Sequence, residues 1–273
     1  MSIFEAIILG IVQGLTEFLP ISSSGHLRIV PAVMGWEDPG AGFTAVIQIG
    51  TMAAVLLYFK DDIWKITTAV LRGLARRARE DDADDIRMGG YIALGTVPIV
   101  ILGLAFSDQI ENDARNLYLI GGMLIAMGLF LGLVDALAKH VRTIESVGKK
   151  DALIIGLAQS MALIPGVSRS GATITFGLLR GFTRRDAARF SFLLSIPAVV
   201  LSGVYQLGDA FNGSAGAGPA AVIVATIASF VVGYASIAFL LKWLGDHTMG
   251  IFVAYRLVVG VAVVTLAATG AIS

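Results

Sequence analysis

The chain of 273 residues is 56% hydrophobic and only 15% charged, with 20 basic and 20 acidic side chains. Its mean hydropathy is +0.82, whereas a soluble domain carries about 25% charged residues. We therefore predict an integral membrane protein. The zero net charge gives no indication of nucleic-acid binding, and the lack of cysteine excludes disulfides and thiolate chemistry.

Eight apolar segments follow one another along the chain. Two of them are interrupted: 3–34 breaks at Pro20 and a serine run, and 152–179 breaks at Pro165 and a Ser-Arg-Ser-Gly run. Such breaks are tolerated at membrane depth only where protein or a water-filled cavity covers the freed backbone groups, so we expect two re-entrant helix–loop–helix hairpins. The other six approach the ~20 residues that a bilayer requires. These expected spans are 43–59, 88–106, 117–137, 188–206, 219–241 and 250–270.

Loop charges predict the orientation. Lys and Arg are concentrated in three connections that the positive-inside rule places in the cytoplasm, 60–87, 138–150 and 180–189. The connections expected outside carry Arg115 as their one basic residue, and they are 36–42, 107–116 and 207–218. The first hairpin then enters from the outer face and the second from the cytoplasm. We therefore predict an all-α membrane protein with one domain over 1–273, in which the halves 1–140 and 147–273 form an inverted-topology repeat of one hairpin plus three spans.

The two interruptions are near-copies of each other. A shift of 146 positions superposes five pairs: Gly10 on Gly156, Gln13 on Gln159, Ser22 on Ser168, Ser24 on Ser170 and Gly25 on Gly171. Proteins built from inverted repeats place their binding sites near the midplane, where the broken helices of the two halves meet. We therefore expect one polar site to which both hairpins contribute.

The first hairpin carries an acid and an imidazole. Gln13 and Glu17 are spaced i, i+4 on one helix face, Ser22 to Gly25 form a hydroxyl-rich turn, and His26 follows directly. A charge at the bilayer centre costs about 2.5–3.5 kcal/mol, so such groups usually face a cavity. The alternative interpretation is that the serines only cap the next helix and that His26 is a core residue.

The second hairpin carries the matching cation. Arg169 offers a planar fork of donors suited to phosphate oxygens, and hydroxyls of Ser168, Ser170 and Thr173 add further donors, while Gly171 allows a close backbone approach. The alternative is an Arg169–Glu17 ion pair with a structural role only. Together the two clusters suit phosphate-ester or anhydride chemistry, in which a carboxylate holds a divalent cation and a histidine moves a proton.

Five further polar residues in or beside the spans are weaker candidates. Gln48 either faces the site or has only a structural role in the first complete helix, Arg256 either pairs with a carboxylate or lines the cavity, and Asp135 is expected at the membrane interface. His140 and His247 are expected to be solvated in cytoplasmic loops.

These motifs resemble the undecaprenyl-diphosphatase family, also called the bacitracin-resistance BacA or UppP family. Residues 13–26, QGLTEFLPISSSGH, are similar to its (E/Q)xxxE signature and serine–histidine run, and residues 165–173, PGVSRSGAT, to its PGxSRSGxT signature. The resemblance extends over the entire chain. Gln13 stands where the signature permits Glu or Gln, which weakens any mechanism that needs two carboxylates there.

The resemblance implies hydrolysis of undecaprenyl diphosphate to undecaprenyl phosphate and inorganic phosphate, which recycles the lipid carrier for the cell wall and confers bacitracin resistance. It implies a bacterial inner-membrane enzyme whose site faces the outer side, with a divalent cation, Mg²⁺ or Ca²⁺, as cofactor and a homodimer as one possible assembly. The catalytic residues implied are Glu17, Ser23, His26 and Arg169, and the metal ligands are Gln13 and Glu17. We assign substrate binding to Ser22, Ser24, Gly25, Ser168, Ser170, Gly171 and Thr173. Either a phosphoseryl intermediate or direct water attack is compatible with this set.

A different class of protein shares this architecture. Broken helices in inverted repeats are usual in secondary transporters, so a transporter or flippase of an anionic prenyl-phosphate lipid is the alternative. A carrier does not need a carboxylate, an imidazole and hydroxyls beside the phosphate, which favours the hydrolase. A purely structural scaffold leaves Glu17 and Arg169 unexplained.

Overall fold

The computed structural model describes residues 1–106, 116–211 and 218–272, without the side chains of 41 and 203–211. These residues form eleven α-helices and no β-strand. The helices are α1 (Ile3–Phe18), α2 (Ser23–Met34), α3 (Gly40–Tyr58), α4 (Lys60–Leu74), α5 (Ala83–Ala105), α6 (Leu117–Leu137), α7 (Lys149–Ser160), α8 (Arg169–Leu179), α9 (Arg184–Phe211), α10 (Pro219–Asp246) and α11 (Gly250–Ala268).

Four of these helices are long and apolar enough to cross a membrane. They are α5 with the turn that precedes it, α6, α10 and α11, and they coincide with the expected spans 88–106, 117–137, 219–241 and 250–270. The all-α membrane fold class is therefore confirmed. Helix α9 extends over the expected span 188–206, but the side chains beyond Ser202 lie outside the described residues. The expected outer connections 107–116 and 207–218 also fall largely outside them.

The prediction that 60–87 is a loop was wrong, and its cytoplasmic side stays a prediction. After Phe59 the chain turns by 75° and continues as α4, and α5 begins at Ala83. Apolar residues recur through 63–74 at helical spacing, but the many charges around them concealed that period in the sequence. The first complete span is thus α3, which passes into a second helix at a steep angle.

The two interrupted segments form helix–turn–helix units, as expected. Helices α1 and α2 are separated by residues 19–22, and α7 and α8 by a 3₁₀ turn and the Pro165 break. Helix α1 packs against α10 and α7 packs against α5, each through a glycine. A Cβ at Gly10 would collide with the carbonyl oxygen of Ala225, and a Cβ at Gly156 with that of Gly95. This paired packing agrees with an internal repeat, and the opposite membrane orientation of the halves stays a prediction.

An ion pair, hydrogen bonds and a ring stack hold Asp135, His140 and His247 near the helix ends at the predicted cytoplasmic side. Asp135 was expected at the membrane interface, and its carboxylate accepts from Arg184 Nε at 2.6 Å and from the Met249 amide at 3.0 Å. His140 was expected to be solvated, but its Nε2 bonds the Asp135 carbonyl at 2.9 Å. His247 stacks on Trp243, with 3.7 Å between the ring centroids. These contacts give Asp135, His140 and His247 structural roles away from the hairpin tips.

Candidate active site

The two hairpin turns have the same backbone geometry. Ser22 (φ 78°, ψ 99°) and Ser168 (φ 73°, ψ 119°) both lie at positive φ, which few non-glycine residues adopt. Each caps the following helix, because Ser22 Oγ accepts from the Gly25 amide at 3.4 Å and Ser168 Oγ from the Gly171 amide at 3.1 Å. Strained conformations of this kind persist only where the surroundings hold them and are common at functional sites.

Glu17 is the point at which the two hairpins meet. Its Oε2 accepts from Ser23 Oγ at 2.7 Å and from Gln13 Nε2 at 3.1 Å, and its Oε1 forms an ion pair with Arg169 of α8. The side chains of Glu17 and Arg169 are 7% and 15% exposed. Ser170 Oγ also donates to the Leu19 carbonyl at 3.1 Å. The structure thus brings carboxylate, hydroxyl and guanidinium into direct contact from residues about 150 positions apart in sequence.

His26 is buried at the start of α2, and both of its ring nitrogens are engaged. Nδ1 must donate to the Ser22 carbonyl at 2.7 Å, since a carbonyl oxygen can only accept. In the neutral ring Nε2 is then the acceptor, and it lies 2.8 Å from the hydroxyl of Tyr255 on α11. The two rings stack with centroids 5.5 Å apart. The contacts therefore select one tautomer and point the basic nitrogen at Tyr255.

Arg256 is fully buried beside the hairpin tips, and its partners are backbone carbonyls. Its guanidinium donates to the carbonyls of Pro20 at 3.0 Å, Gly166 at 3.0 Å and Val167 at 3.1 Å. It also reaches two carbonyls of α6 at 3.2 Å. Of the two roles considered from the sequence, pairing with a carboxylate is not seen among the described contacts. Arg256 instead satisfies the carbonyls that both chain breaks expose and ties the two turns together.

The predicted substrate-binding residues occupy different positions around the ion pair. Ser24 is exposed at the turn, whereas Gly25, Ser168, Ser170 and Gly171 are buried. The Ser22 and Ser24 hydroxyls lie 3.3 Å apart, and those of Ser168 and Ser170 lie 3.1 Å apart. Thr173 is fully buried and donates to the Arg169 carbonyl at 2.8 Å, which gives it a supporting position behind Arg169. The assignment of substrate contacts to these residues stays a prediction.

Sequence reasoning missed two participants, Thr51 and Tyr255. Gln13 Nε2 donates to Thr51 Oγ1 of α3 at 3.3 Å, and Tyr255 orients His26. Thr51 lies three residues beyond Gln48, the residue expected to face the site, and its hydroxyl donates to the Gln48 carbonyl. A polar residue one helical turn from Gln48, on the same face of an apolar helix, was the available signal for Thr51.

The donors around Glu17 set limits on a metal site. Within the described residues, no group of three or more His, Cys, Asp or Glu side chains is placed to hold a metal ion. Gln13 Oε1 is buried and has no hydrogen-bond partner there, so it is a free oxygen next to the Glu17 carboxylate. Mg²⁺ prefers six oxygen ligands and is often bound by one or two protein groups plus substrate phosphates. Gln13 and Glu17 therefore fit a cation that arrives with phosphate oxygens, not a cage made by protein alone.

The arrangement defines a polytopic membrane protein with a buried polar site built from two hairpin tips. The family model described as bacitracin resistance protein BacA matches residues 6–262. The chain is 54% identical to a protein of Chlorobium phaeovibrioides over 99% of both chains, and 53% identical to one of a Nocardioides species over 98% of both. Both relatives are named undecaprenyl-diphosphatase. This chain belongs to the bacitracin resistance protein BacA family.

Proposed function

We propose that this protein hydrolyses undecaprenyl diphosphate to undecaprenyl phosphate and inorganic phosphate, so that the lipid carrier of cell-wall synthesis is recycled and bacitracin resistance follows. The observation that carries the proposal is the Glu17 carboxylate held between the Ser23 hydroxyl and the Arg169 guanidinium. These are a general base, a nucleophile or water-binding hydroxyl, and an anion-binding fork in one contact set. The names of the relatives agree with this activity.

Arg169 has a second role once substrate is present. In the structure its guanidinium compensates the buried charge of Glu17, and a diphosphate would supply oxygens that compete for the same donors. Transfer of Arg169 from carboxylate to phosphate would leave Glu17 free to accept a proton. Binding of the anion and activation of the base are then one event, because both depend on the same guanidinium.

Two routes then lead to products. In the covalent route Ser23 Oγ attacks the terminal phosphorus, its proton passes to Glu17, and the bond from that phosphorus to the bridging oxygen breaks to release undecaprenyl phosphate. Water then cleaves the phosphoserine and releases inorganic phosphate. In the direct route water attacks, Glu17 takes its proton and Ser23 only orients it. The 2.7 Å contact between Ser23 and Glu17 supports either route.

His26 is proposed to relay the proton that the leaving undecaprenyl phosphate requires. Nε2, unprotonated in the neutral ring, would first take a proton from the incoming hydrogen diphosphate, and the imidazolium would then donate it to the bridging oxygen as the bond to phosphorus breaks. The fixed Nδ1–H bond of His26 to the Ser22 carbonyl leaves Nε2 as the atom that exchanges protons. Nε2 contacts Tyr255, so substrate must either displace the Tyr255 hydroxyl or pass the proton through it. Tyr255 is accordingly a second group in the proposed proton path.

A divalent cation, Mg²⁺ or Ca²⁺, is proposed to enter with the diphosphate. Gln13 Oε1 and Glu17 would hold it, and the cation would neutralise charge on the phosphate oxygens. The protein's own contribution is the positioning of Gln13, whose amide nitrogen is anchored to Glu17 and Thr51 so that its oxygen points away from them.

The apolar helices indicate a multi-pass membrane protein. We propose the bacterial inner membrane as its location, with the site open to the outer side, on the basis of the Lys and Arg distribution of the connections. An inverted-topology repeat and a homodimer stay predictions. Cysteine accessibility labelling from each side of the membrane, and light scattering of the purified protein, test them.

The test of the activity is release of inorganic phosphate from undecaprenyl or farnesyl diphosphate by the purified full chain, with and without Mg²⁺ or Ca²⁺. We expect release that requires the cation and is lost in Glu17→Ala and Arg169→Ala. Folded protein that releases no phosphate with any cation contradicts the proposal. In that case, movement of labelled undecaprenyl phosphate across vesicle membranes would favour the transporter or flippase.

A further inference from the structure

Helix α4 has no part in the proposed chemistry, and its orientation differs sharply from that of the preceding helix, α3. It follows α3 after a bend of 75° at Phe59, and Phe59 is only 2% exposed, so the bend is packed into the core. Membrane-crossing helices are tilted by about 20° on average from the bilayer normal. A helix bent by 75° from the apolar α3 therefore runs close to the plane of the membrane surface.

One face of α4 is already occupied by the protein. Ala69 is fully buried, and the helix packs along α5 through two glycines. A Cβ at Gly89 would collide with Val70, and a Cβ at Gly73 would press on Ile86. This packing fixes the rotation of α4 about its axis, so its remaining faces are presented in a defined direction.

A second face of α4 is apolar and uncovered. Trp64 is 72% exposed, Leu71 59% and Leu74 77%. Their spacing of i, i+7 and i+10 places them on a single stripe of the helix. Large apolar side chains grouped in this way on a membrane protein mark contact with acyl chains or with another protein.

A third face, and the segment that follows the helix, is basic. Lys65, Arg76 and Arg77 are exposed, and the described contacts give none of the three a carboxylate partner. One cation and one carboxylate of α4 are neutralised by partners outside the helix: Arg72 Nε donates to Asp82 at 2.8 Å, and Asp62 accepts from Arg189 at 2.6 Å. With the start of α5 included, exposed cations still outnumber exposed carboxylates around the helix: Lys60, Lys65, Arg76, Arg77, Arg79 and Arg87 against Asp61, Glu80, Asp81 and Asp84.

We propose that α4 is a membrane-surface helix that binds anionic phospholipids of the leaflet on its own side, the cytoplasmic side by the positive-inside rule. Trp64, Leu71 and Leu74 enter the boundary between headgroups and acyl chains, and Lys65, Arg76 and Arg77 hold the phosphate headgroups. An apolar stripe beside a basic strip, on a helix lying in the surface plane, is the pattern of interfacial helices. Charge complementarity to an anionic leaflet selects lipid over a second copy of this chain, whose matching face would be equally basic.

The depth test uses Trp64 as the single tryptophan of the full chain, in a Trp36→Phe, Trp243→Phe variant. The protein is reconstituted into phosphatidylcholine vesicles with phosphatidylglycerol, and lipids brominated at different acyl positions quench the fluorescence. We expect the strongest quenching by bromine near the carboxyl end of the chain and little by aqueous iodide. Efficient iodide quenching, without lipid quenching, would overturn the proposal.

The charge test compares two triple variants that each remove three exposed cations. Lys65→Gln, Arg76→Gln, Arg77→Gln changes the proposed headgroup site, and Lys139→Gln, Lys149→Gln, Lys150→Gln is the matched control in another basic connection. Native mass spectrometry measures phosphatidylglycerol bound to each, against phosphatidylcholine. We expect retention to fall by about fivefold for each cation removed from the α4 site and to change little in the control.

Two outcomes oppose the proposal. Equal loss of phosphatidylglycerol in both triple variants would mean that α4 has no site of its own and contributes only net charge. Crosslinking of two copies through a cysteine placed at position 71, with Trp64 shielded from lipid bromine, would identify the face as a protein interface. Phosphate release by the variants is measured separately, so failure of the lipid site and failure of the hydrolase proposal are distinguishable.

Discussion

The two hairpins have the same backbone geometry at their turns, but the charged side chains that they carry have opposite signs. At the same shift of 146 positions that superposes their turns, Glu17 corresponds to Leu163, Ser23 to Arg169, and His26 to Ala172. In the proposed mechanism the first hairpin supplies the groups that accept and donate protons, and the second supplies the Arg169 guanidinium. Neither set can balance its own charge inside a membrane, since Glu17 and Arg169 neutralise each other. Two hairpins with the same turn geometry therefore give one composite site instead of two equivalent ones.

The paired glutamines show the same difference. Gln13 bonds both Glu17 and Thr51, whereas Gln159, at the corresponding position, is fully buried and neither of its amide atoms has a partner in the described part of the chain. Its neighbour one turn later is Leu163, which cannot accept a hydrogen bond. The second hairpin thus has the corresponding glutamine without a neighbouring carboxylate.

The largest expected effect comes from removing Glu17, the carboxylate that the first hairpin has and the second lacks. Glu17→Ala should lower turnover by about 10³-fold or more, because the general base disappears and Arg169 is left buried without its counter-charge. Leu163→Ala, at the corresponding position, should change turnover by less than about threefold, since Leu163 has no polar role. The measurement is the rate of phosphate release by protein that elutes as a single species in detergent.

Similar losses in the two variants would contradict a division of labour between the hairpins. Retained turnover in Glu17→Ala alone would remove that carboxylate from the mechanism.

The second prediction concerns Arg169, the charged side chain that the second hairpin contributes. Arg169→Lys should lower kcat/KM by about 10²-fold, because an ammonium group keeps the charge but cannot reproduce the two-pronged contact with phosphate oxygens. Arg180→Lys is the matched control, since Arg180 bonds Asp151 at 2.7 Å far from the hairpin tips. Near-normal kinetics in Arg169→Lys would show that only its charge matters.

The sequence predicted the charged residues of this site, but it did not predict contacts between residues that are distant along the chain. Glu17 and Arg169 were identifiable because charges inside apolar segments are costly, and a shared motif spacing indicated that their hairpins meet. Arg256 was ambiguous, because its carbonyl partners lie up to 236 positions away and carbonyls leave no trace in residue identity. Tyr255 was missed for the same reason, as its contact with His26 depends on how α11 packs.

Helix α4 was missed on different grounds. Its apolar period is mixed with enough Lys, Arg and Asp to resemble a charged loop, and only the packing of Ala69 and Gly73 on α5 makes it a helix with a fixed face. The spans α5, α6, α10 and α11 were predictable because each is a long apolar run. Local composition was therefore enough to predict the membrane-crossing helices, whereas α4 could be recognised only from its tertiary contacts.

The third prediction tests the hydrogen bond between His26 of the first hairpin and Tyr255 of α11. Tyr255→Phe should lower turnover by about three- to tenfold, because His26 Nε2 loses its 2.8 Å partner while the ring stack remains. The loss should lie mainly in kcat, with KM nearly unchanged, if Tyr255 belongs to the proton path. A change confined to KM would assign Tyr255 to substrate binding instead.

The smallest effect should be the same in both hairpins. Ser22 and Ser168 cap α2 and α8 with the same geometry, so Ser22→Ala and Ser168→Ala should each cost about 1 kcal/mol of stability. Thermal unfolding in one detergent, followed by circular dichroism, compares the two variants directly. We expect equal shifts in Tm, because both hydroxyls cap a helix, and phosphate release by the folded protein then measures whether either hydroxyl also binds substrate, as the sequence predicted. A selective loss of turnover in Ser22→Ala would mean that its hydroxyl contacts the phosphate, and that the duplicated caps have diverged in function as the neighbouring residues have.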